Sequence, residues 1–204
     1  MPSPKPHNRI SIMGPMLCLL IWTTVTAPAM SSQRLTEEDY RLYGQQLARQ
    51  TQAALGGNLK RALKNGGPEA AVSFCKTRAI PITEEMSAKL DATITRVSDQ
   101  PRNPENSASG VELDLIKRFK AALSRGDKPT PAVREVEDRM IGYYPIITNG
   151  MCLQCHGAVG TDITSDTHAV IQEAYPTDQA TGYTSNELRG LFVVAMDKPE
   201  NQEK

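Results

Sequence analysis

Residues 140–157 read MIGYYPIITNGMCLQCHG and join a predicted β-strand directly to two cysteines and a histidine. The first part, from Met140 to Ile147, is rich in aromatic and β-branched residues, as is typical of strands. The second part contains Cys152-Leu153-Gln154-Cys155-His156, a Cys-x-x-Cys-His motif. The motif therefore lies far down the chain, after most of the predicted secondary structure.

The spacing of this motif has a chemical reason. Two thiols three residues apart can form thioether bonds to the two vinyl groups on one edge of a haem, and the adjacent His156 can then bind the iron. A thioredoxin-like redox pair, half of a zinc site and a plain disulfide are the other interpretations. No thioredoxin-like βαβ pattern surrounds the motif, and the sequence has no second Cys-x-x-Cys. The sequence therefore predicts one covalent haem c, attached through Cys152 and Cys155, with His156 as an axial ligand of its iron.

The N-terminal residues have the pattern of an export signal. Lys5 and Arg9 precede an apolar stretch over residues 10–25, and Ala27-Pro28-Ala29 is typical of a signal-peptidase site. The apolar stretch is shorter than the roughly 20 residues that cross a bilayer, so we expect cleavage and no stable membrane span afterwards, with an uncleaved anchor as the alternative. The protein is then periplasmic or otherwise exported. Its predicted parts are a signal peptide (1–29), a c-type haem domain (30–196) and a flexible C-terminal tail (197–204).

The composition excludes some classes of partner. The chain has 204 residues, with 23 Lys and Arg against 23 Asp and Glu, so its formal net charge is zero. A nucleic-acid binder or a polybasic membrane-surface module normally needs a strongly basic face. Hydrophobic residues make up 39% and aromatic residues 5%, which suits a single domain with a small core. We therefore expect no nucleic-acid partner.

Helical patterns dominate the first half of the chain. Thr36 is the expected N-cap of a long helix with acidic residues in its first turn, and Gly66-Gly67 is expected to end that helix. Pro68 then opens a second helix, which places Cys75 on one of its faces. Pro81 is expected to stop this second helix.

Strand patterns dominate the second half. A capping box at Ser109 predicts a helix, and a further short helix is expected over residues 168–174. Together these patterns predict an α+β fold in which N-terminal helices are followed by a largely antiparallel sheet in one domain. Small electron-carrier cytochromes c are all-helical and have their motif near the N-terminus, so this chain differs from them. The predicted strands are residues 92–98, 133–136, 140–147 and 188–196.

The second axial position of the iron has several candidate ligands. His168 lies in a polar stretch, where an exposed histidine is the ordinary interpretation. For Cys75, the common role of a free cysteine is that of a small buried residue on a helix face. A lone exported thiol is nevertheless open to oxidation unless something such as iron protects it. The residues alone leave open an empty position or ligation by Cys75, His168, Met30, Met86, Met140, Met151 or Met196.

Several short segments, taken in order, resemble one known family. From about Tyr40 to Met196 the chain resembles the bacterial c-type haem domain family with a PAS-like fold, formerly a domain of unknown function, which occurs alone and as the sensor part of membrane receptors. The segments are Ala71-Val72-Ser73-Phe74-Cys75, Arg96-Val97-Ser98, Arg102-Asn103-Pro104-x-Asn106, Tyr144-Pro145, Cys152-Leu153-x-Cys155-His156-Gly157, Tyr175-Pro176-x-Asp178-x-Ala180-x-Gly182 and Leu188-Arg189-Gly190.

The resemblance implies a set of haem contacts. The family has an unusual His/Cys axial pair, which corresponds here to His156 and Cys75. Arg96 and Arg102 are candidates for contacts with the haem propionates, because guanidinium groups pair well with carboxylates. A solvent-exposed loop arginine or an internal ion pair is the alternative for each of them.

The expected function follows from the predicted ligands. A thiolate ligand favours ferric iron and lowers its reduction potential relative to His/Met ligation. We expect an exported monohaem protein that senses redox state or a small diatomic gas, with release of Cys75 as the structural response. A simple electron-transfer cytochrome c is the alternative, and an enzyme is less favoured because His168 is the only other histidine available as a distal acid or base in the processed chain. The expected partners are a redox protein or a diatomic ligand, and a second copy of the chain, since PAS-like domains often dimerise.

Overall fold

A computed structural model of the chain describes residues 1–3 and 35–198. The predicted signal peptide lies outside the described residues apart from its first three positions, and the predicted tail lies outside them beyond residue 198. Within the described ranges, no helix is both long enough and apolar enough to cross a membrane.

The described residues form an α+β fold with one sheet. The four strands are all antiparallel to their neighbours and lie in the order β1-β4-β3-β2. The predicted class and the predicted antiparallel sheet are therefore confirmed, and each predicted strand is present. In chain order the elements are α1 (Glu37–Leu90), β1 (Thr93–Val97), a 3-10 turn (Pro104–Asn106), α2 (Gly110–Ser124), β2 (Ala132–Val136), β3 (Arg139–Ile147), α3 (Gly150–His156), α4 (Ser165–Ala174) and β4 (Leu188–Asp197).

Helix α1 begins where the sequence predicts, and it leaves helical geometry at the glycine pair where the sequence predicts its end. The Thr36 hydroxyl accepts a hydrogen bond from the Asp39 N–H at 3.2 Å, and the Asp39 carboxylate accepts one from the Thr36 N–H at 2.8 Å, which satisfies two donors at the helix start. The backbone leaves helical geometry at Gly66 and Gly67, and Gly67 has φ of +68°, a conformation that favours glycine. Residues 68–90 therefore form a second helical segment of α1.

Pro81 does not end this segment, so that prediction is wrong. The helix continues through Pro81 to Leu90, although an interior proline removes a backbone donor and costs about 3 kcal/mol. Ala79, Ile82 and Thr83 are buried around the proline, and the Thr83 hydroxyl donates to the Ala79 carbonyl at 2.8 Å. Burial on both sides of the proline offsets its cost, because the helix would lose these contacts if it stopped there.

Two helices cover opposite faces of the sheet. The first segment of α1 packs against Phe192, Val194 and Met196 of β4, whereas α2 packs against Leu191 on the other face. This arrangement follows from the strand, in which successive side chains point to opposite faces. The α1 face is tightly packed, since a Cβ added at Gly44 would lie 2.1 Å from the Tyr144 hydroxyl oxygen.

A third, smaller core joins the remaining helices. Val72 of α1, Ile163, Ile171 of α4 and Tyr175 are buried together, and Cys155 of α3 packs against them. Val72 lies one turn before Cys75 on α1. This core therefore brings the Cys-x-x-Cys-His helix against the segment of α1 that carries Cys75.

Candidate functional site

Cys152, Cys155 and His156 lie on the short helix α3, which is fixed at its start by Thr148 and Asn149. The Asn149 side-chain oxygen accepts from the Met151 N–H at 3.0 Å and caps the helix. Thr148 is buried, and its hydroxyl donates to the Thr184 carbonyl at 2.6 Å. Its N–H donates to the Glu187 carbonyl at 2.9 Å. The end of β3 is thus tied to the loop before β4, and α3 starts from a fixed point.

The same loop, over residues 178–187, holds His156. Its Nδ1 lies 2.7 Å from the Ala180 carbonyl oxygen, so Nδ1 carries the proton and Nε2 keeps its lone pair. The His156 carbonyl accepts from the Tyr183 N–H at 2.9 Å, and the Gly157 carbonyl accepts from the Gly182 N–H at 2.8 Å. These three contacts fix both the ring and the end of the helix.

The environment of His156 keeps its imidazole neutral. Burial is the main cause, and the positive charges of Arg189 and Arg102 add to it, so the pKa of His156 lies well below its usual range. Neutral imidazole is the form that binds metals through nitrogen. The structure therefore presents His156 in the tautomer and protonation state of a ligand.

Arg102 connects the loop to α3. Its Nε and Nη2 donate to the two carboxylate oxygens of Asp178 at 3.0 Å each, and both side chains are only 9% exposed. Nη2 also donates to the carbonyl of Cys155 at 2.6 Å and to that of Ala180 at 3.2 Å. Arg102 thus occupies an internal ion pair, one of the alternatives left open by the sequence, and its bonds hold the Ala180 carbonyl that orients His156.

Burial and the charges of nearby groups change the pKa of both the Cys75 and the Cys155 thiol. Burial raises the pKa of the Cys75 thiol, and the charges of Arg96 and Arg102 partly counter this. Burial also raises the pKa of Cys155 to about 11, against the opposing charge of Arg102, with Cys75 among the groups that add to the increase. Within the described residues, Cys75, Cys152 and Cys155 form no disulfide. The structure brings these residues together, while their roles as attachment points and ligands remain predictions.

The other candidate ligands lie in different surroundings. Met140 and Met196 are buried in the core between α1 and the sheet, the common use of methionine. His168 lies on α4, Met86 on the last turns of α1 and Met151 at the start of α3. Met30 lies outside the described residues.

Two further arginines approach the site from the sheet. Arg96 lies on β1 opposite Phe192, on the face covered by α1, and burial lowers the pKa of its guanidinium while Cys75 opposes that effect. In the described part of the chain Arg96 forms no ion pair. In the pairing of β3 with β4, Ile146 lies opposite Gly190 and the next residue, Ile147, lies opposite Leu188. Arg189 therefore has no partner in β3 and forms a β-bulge in β4.

Sequence reasoning gave no role to Arg189, Tyr183 or Asp178. Arg189 and Asp178 appeared only within segments that resemble a family, and Tyr183 followed one of them. The one signal in the sequence was Gly190, because glycine in a strand often marks a bulge or a close backbone approach. A Cβ at Gly190 would lie 2.3 Å from the Val97 carbonyl oxygen, so this glycine permits the close approach of β4 to β1.

Fold and site together define an α+β domain in which a Cys-x-x-Cys-His helix packs against a kinked helix that carries a further cysteine, near a group of arginines. The chain belongs to the Tll0287-like family, whose model matches residues 25–197. This match confirms the family resemblance seen in the sequence. The crystal structure of the cyanobacterial heme-protein Tll0287 is similar, with a TM-score of 0.58 and 21% sequence identity over 81% of this chain and 98% of that chain. At this identity the likeness shows the fold alone. None of the curated proteins matches the chain.

Proposed function

We propose that this protein binds one haem c, attached covalently through Cys152 and Cys155, in an exported domain with a PAS-like fold. His156 and Cys75 would be the residues that bind its iron. The observation that carries the proposal is the state of His156, whose Nδ1 is bonded to the Ala180 carbonyl so that Nε2 is available to iron. The similar cyanobacterial structure is that of a heme-protein, which supports the same conclusion.

The charges near His156 fit this group. Arg189, Arg102 and Arg96 all act on the pKa of His156, and Asp178 is the carboxylate that pairs with Arg102. Arg96 and Arg189 then remain for the two propionates that a haem carries. Guanidinium and carboxylate groups form the stronger kind of hydrogen bond, so this donor set suits a dianionic cofactor.

We assign a sensing role to Cys75. When bound, haem supplies one-electron redox chemistry and an iron centre that binds diatomic gases. Cys75 lies on the segment 68–90 of α1, which meets the first segment at the non-helical Gly66 and Gly67. Release of Cys75 on reduction, or on binding of NO or CO, would free this segment to move relative to α3, and its movement would be the signal.

Spectroscopy and mass measurement of the exported protein test the proposal. We expect an N-terminus at residue 30, the added mass of one haem and a low-spin ferric spectrum. Cys75→Ser should change that spectrum, whereas Thr77→Ala, at an exposed position of the same helix, should keep it. A colourless protein with the mass of the bare chain would refute haem attachment. An unchanged spectrum in Cys75→Ser would remove Cys75 from the coordination sphere.

A simple electron-transfer cytochrome is the second candidate. The fixed position of His156, held by contacts of the ring and of its carbonyl, favours it, because an electron carrier keeps its ligands in both oxidation states. Addition of CO to the dithionite-reduced protein separates the two functions. Ready binding of CO supports the sensor, and a reduced spectrum that CO does not alter supports the carrier.

A further inference from the structure

Two buried polar atoms beside the site make no hydrogen bond of normal geometry within the described residues, although their side chains are close enough to interact. They are Nε of Arg189 and the hydroxyl oxygen of Tyr183. The opposite edge of the same guanidinium is bonded, since Nη1 donates to the Ser98 hydroxyl at 2.9 Å and to the Gln100 carbonyl at 3.2 Å. Folded proteins keep few buried polar atoms without partners, and each one calls for an explanation.

The two side chains lie close to each other, and the Tyr183 ring lies beside the His156 ring. The guanidinium carbon of Arg189 is 5.4 Å from the centre of the Tyr183 ring. The Tyr183 ring meets the His156 ring edge-on, with centroids 6.4 Å apart and planes at 84°. The side chains of Arg189 and Tyr183 are therefore both near the predicted iron ligand.

The bulge in β4 accounts for the position of Arg189. An extra residue in one strand turns its side chain away from the regular alternation, and bulges are common next to functional sites. Arg189 is that residue. The carbonyl of Arg189 accepts from the Ser98 hydroxyl at 2.8 Å, so the bulge and the guanidinium are both fixed to Ser98.

We propose that Arg189 and Tyr183 form an anchor for one carboxylate, and that this carboxylate is a propionate of the haem; the inference rests on the proposed function. A carboxylate has two oxygens and can accept from the Arg189 N–H and from the Tyr183 O–H at the same time, and a guanidinium favours a carboxylate. The carboxylate of Asp178 does not serve, because it already accepts from Arg102 and from the Ala180 N–H at 2.9 Å.

Redox titration of the haem-loaded protein tests the anchor. In Arg189→Gln the loss of a positive charge should favour ferric iron by about tenfold, a fall in potential of about 59 mV. Tyr183→Phe should shift the potential in the same direction by less, and it keeps the bonds of Arg189 to Ser98 and Gln100. Arg125→Gln is the control, because the Arg125 side chain is 63% exposed in its pair with Asp127.

The pH dependence gives a readout that a merely structural role would not produce. Without Arg189 the pKa of the propionate should rise, so the potential should increase as pH falls, whereas the potential of the unmodified protein should change less. The other charged or titratable groups facing this site are unchanged in the variant, namely Arg96, Arg102, Asp178, His156, Cys75 and Tyr175.

Two outcomes would count against the proposal in different ways. If haem is attached and both Arg189→Gln and Tyr183→Phe match Arg125→Gln in potential and pH profile, the anchor is refuted and the proposed function stands. If neither the variants nor the unmodified protein carries haem, both the anchor and the proposed function are refuted.

Discussion

Loss of the ion pair between Arg102 and Asp178 should destabilise the protein strongly. The pair is bidentate, with both N–O distances at 3.0 Å, and each side chain is 9% exposed. Removing one partner of a buried pair leaves an uncompensated charge and costs about 3–5 kcal/mol. We therefore expect Asp178→Asn to lower the free energy of unfolding by about 3 kcal/mol and Arg102→Gln by more, because Arg102 also donates to the carbonyls of Cys155 and Ala180.

Urea denaturation of each variant measures this effect, with the exposed pair Arg125–Asp127 as the matched control. Its side chains are 63% and 59% exposed, and exposed pairs contribute about 0–1 kcal/mol. Arg125→Gln should therefore change the free energy of unfolding by less than about 1 kcal/mol.

A double-mutant cycle decides whether the charge pair itself is responsible. The cycle compares Arg102→Met, Asp178→Leu and the combined variant. In the combined variant neither charge of this pair is left without its partner, so its destabilisation should be clearly smaller than the sum of the two single changes. Single variants as stable as Arg125→Gln would contradict the structural role of Arg102. A double variant destabilised by the full sum of the two single changes would contradict the energetic coupling between Arg102 and Asp178.

Three further changes test other parts of the structure. Gly44→Ala should cost about 1–3 kcal/mol in urea denaturation, since its Cβ would lie 2.1 Å from the Tyr144 hydroxyl oxygen; an unchanged midpoint would contradict the tight packing of α1 on the sheet. Thr36→Ala should cost about 0.5–2 kcal/mol because the cap is lost, and equal stability would deny that role. In protein made without haem attachment, alkylation of Cys155 should become about tenfold faster per pH unit up to its pKa of about 11; mass spectrometry showing a plateau below pH 9 would contradict the burial of this thiol.

Much of the local structure could be predicted because its signals are local. The cap at Thr36 needs only an oxygen three residues before a donor, and the bend at Gly66-Gly67 needs only the conformational freedom of glycine. The strands follow from β-branched and aromatic runs. Pro81 was the exception, because the local cost of proline was outweighed by the burial of Ala79 and Ile82, which depends on packing from other elements.

The role of Arg102 shows where a residue pattern stops being informative. An arginine in a loop can face solvent, a cofactor or a buried carboxylate, and its nearest charged partner, Asp178, is 76 positions away in sequence. No local rule pairs residues at that separation. The same holds for Arg189, whose position depends on a register shift between β3 and β4.

The sequence by itself determined the chemistry that the chain can offer, because two thiols and an imidazole in Cys-x-x-Cys-His are set by covalent spacing. It also determined the α+β class, because hydrophobic periodicity is a property of short segments. Only the tertiary structure decided which groups surround His156: the carbonyl of Ala180 that fixes its tautomer, the guanidinium of Arg102, and the arginines of the sheet. These contacts join residues distant in the chain, and they form only when the kinked α1, the bulged β4 and the loop before it pack together.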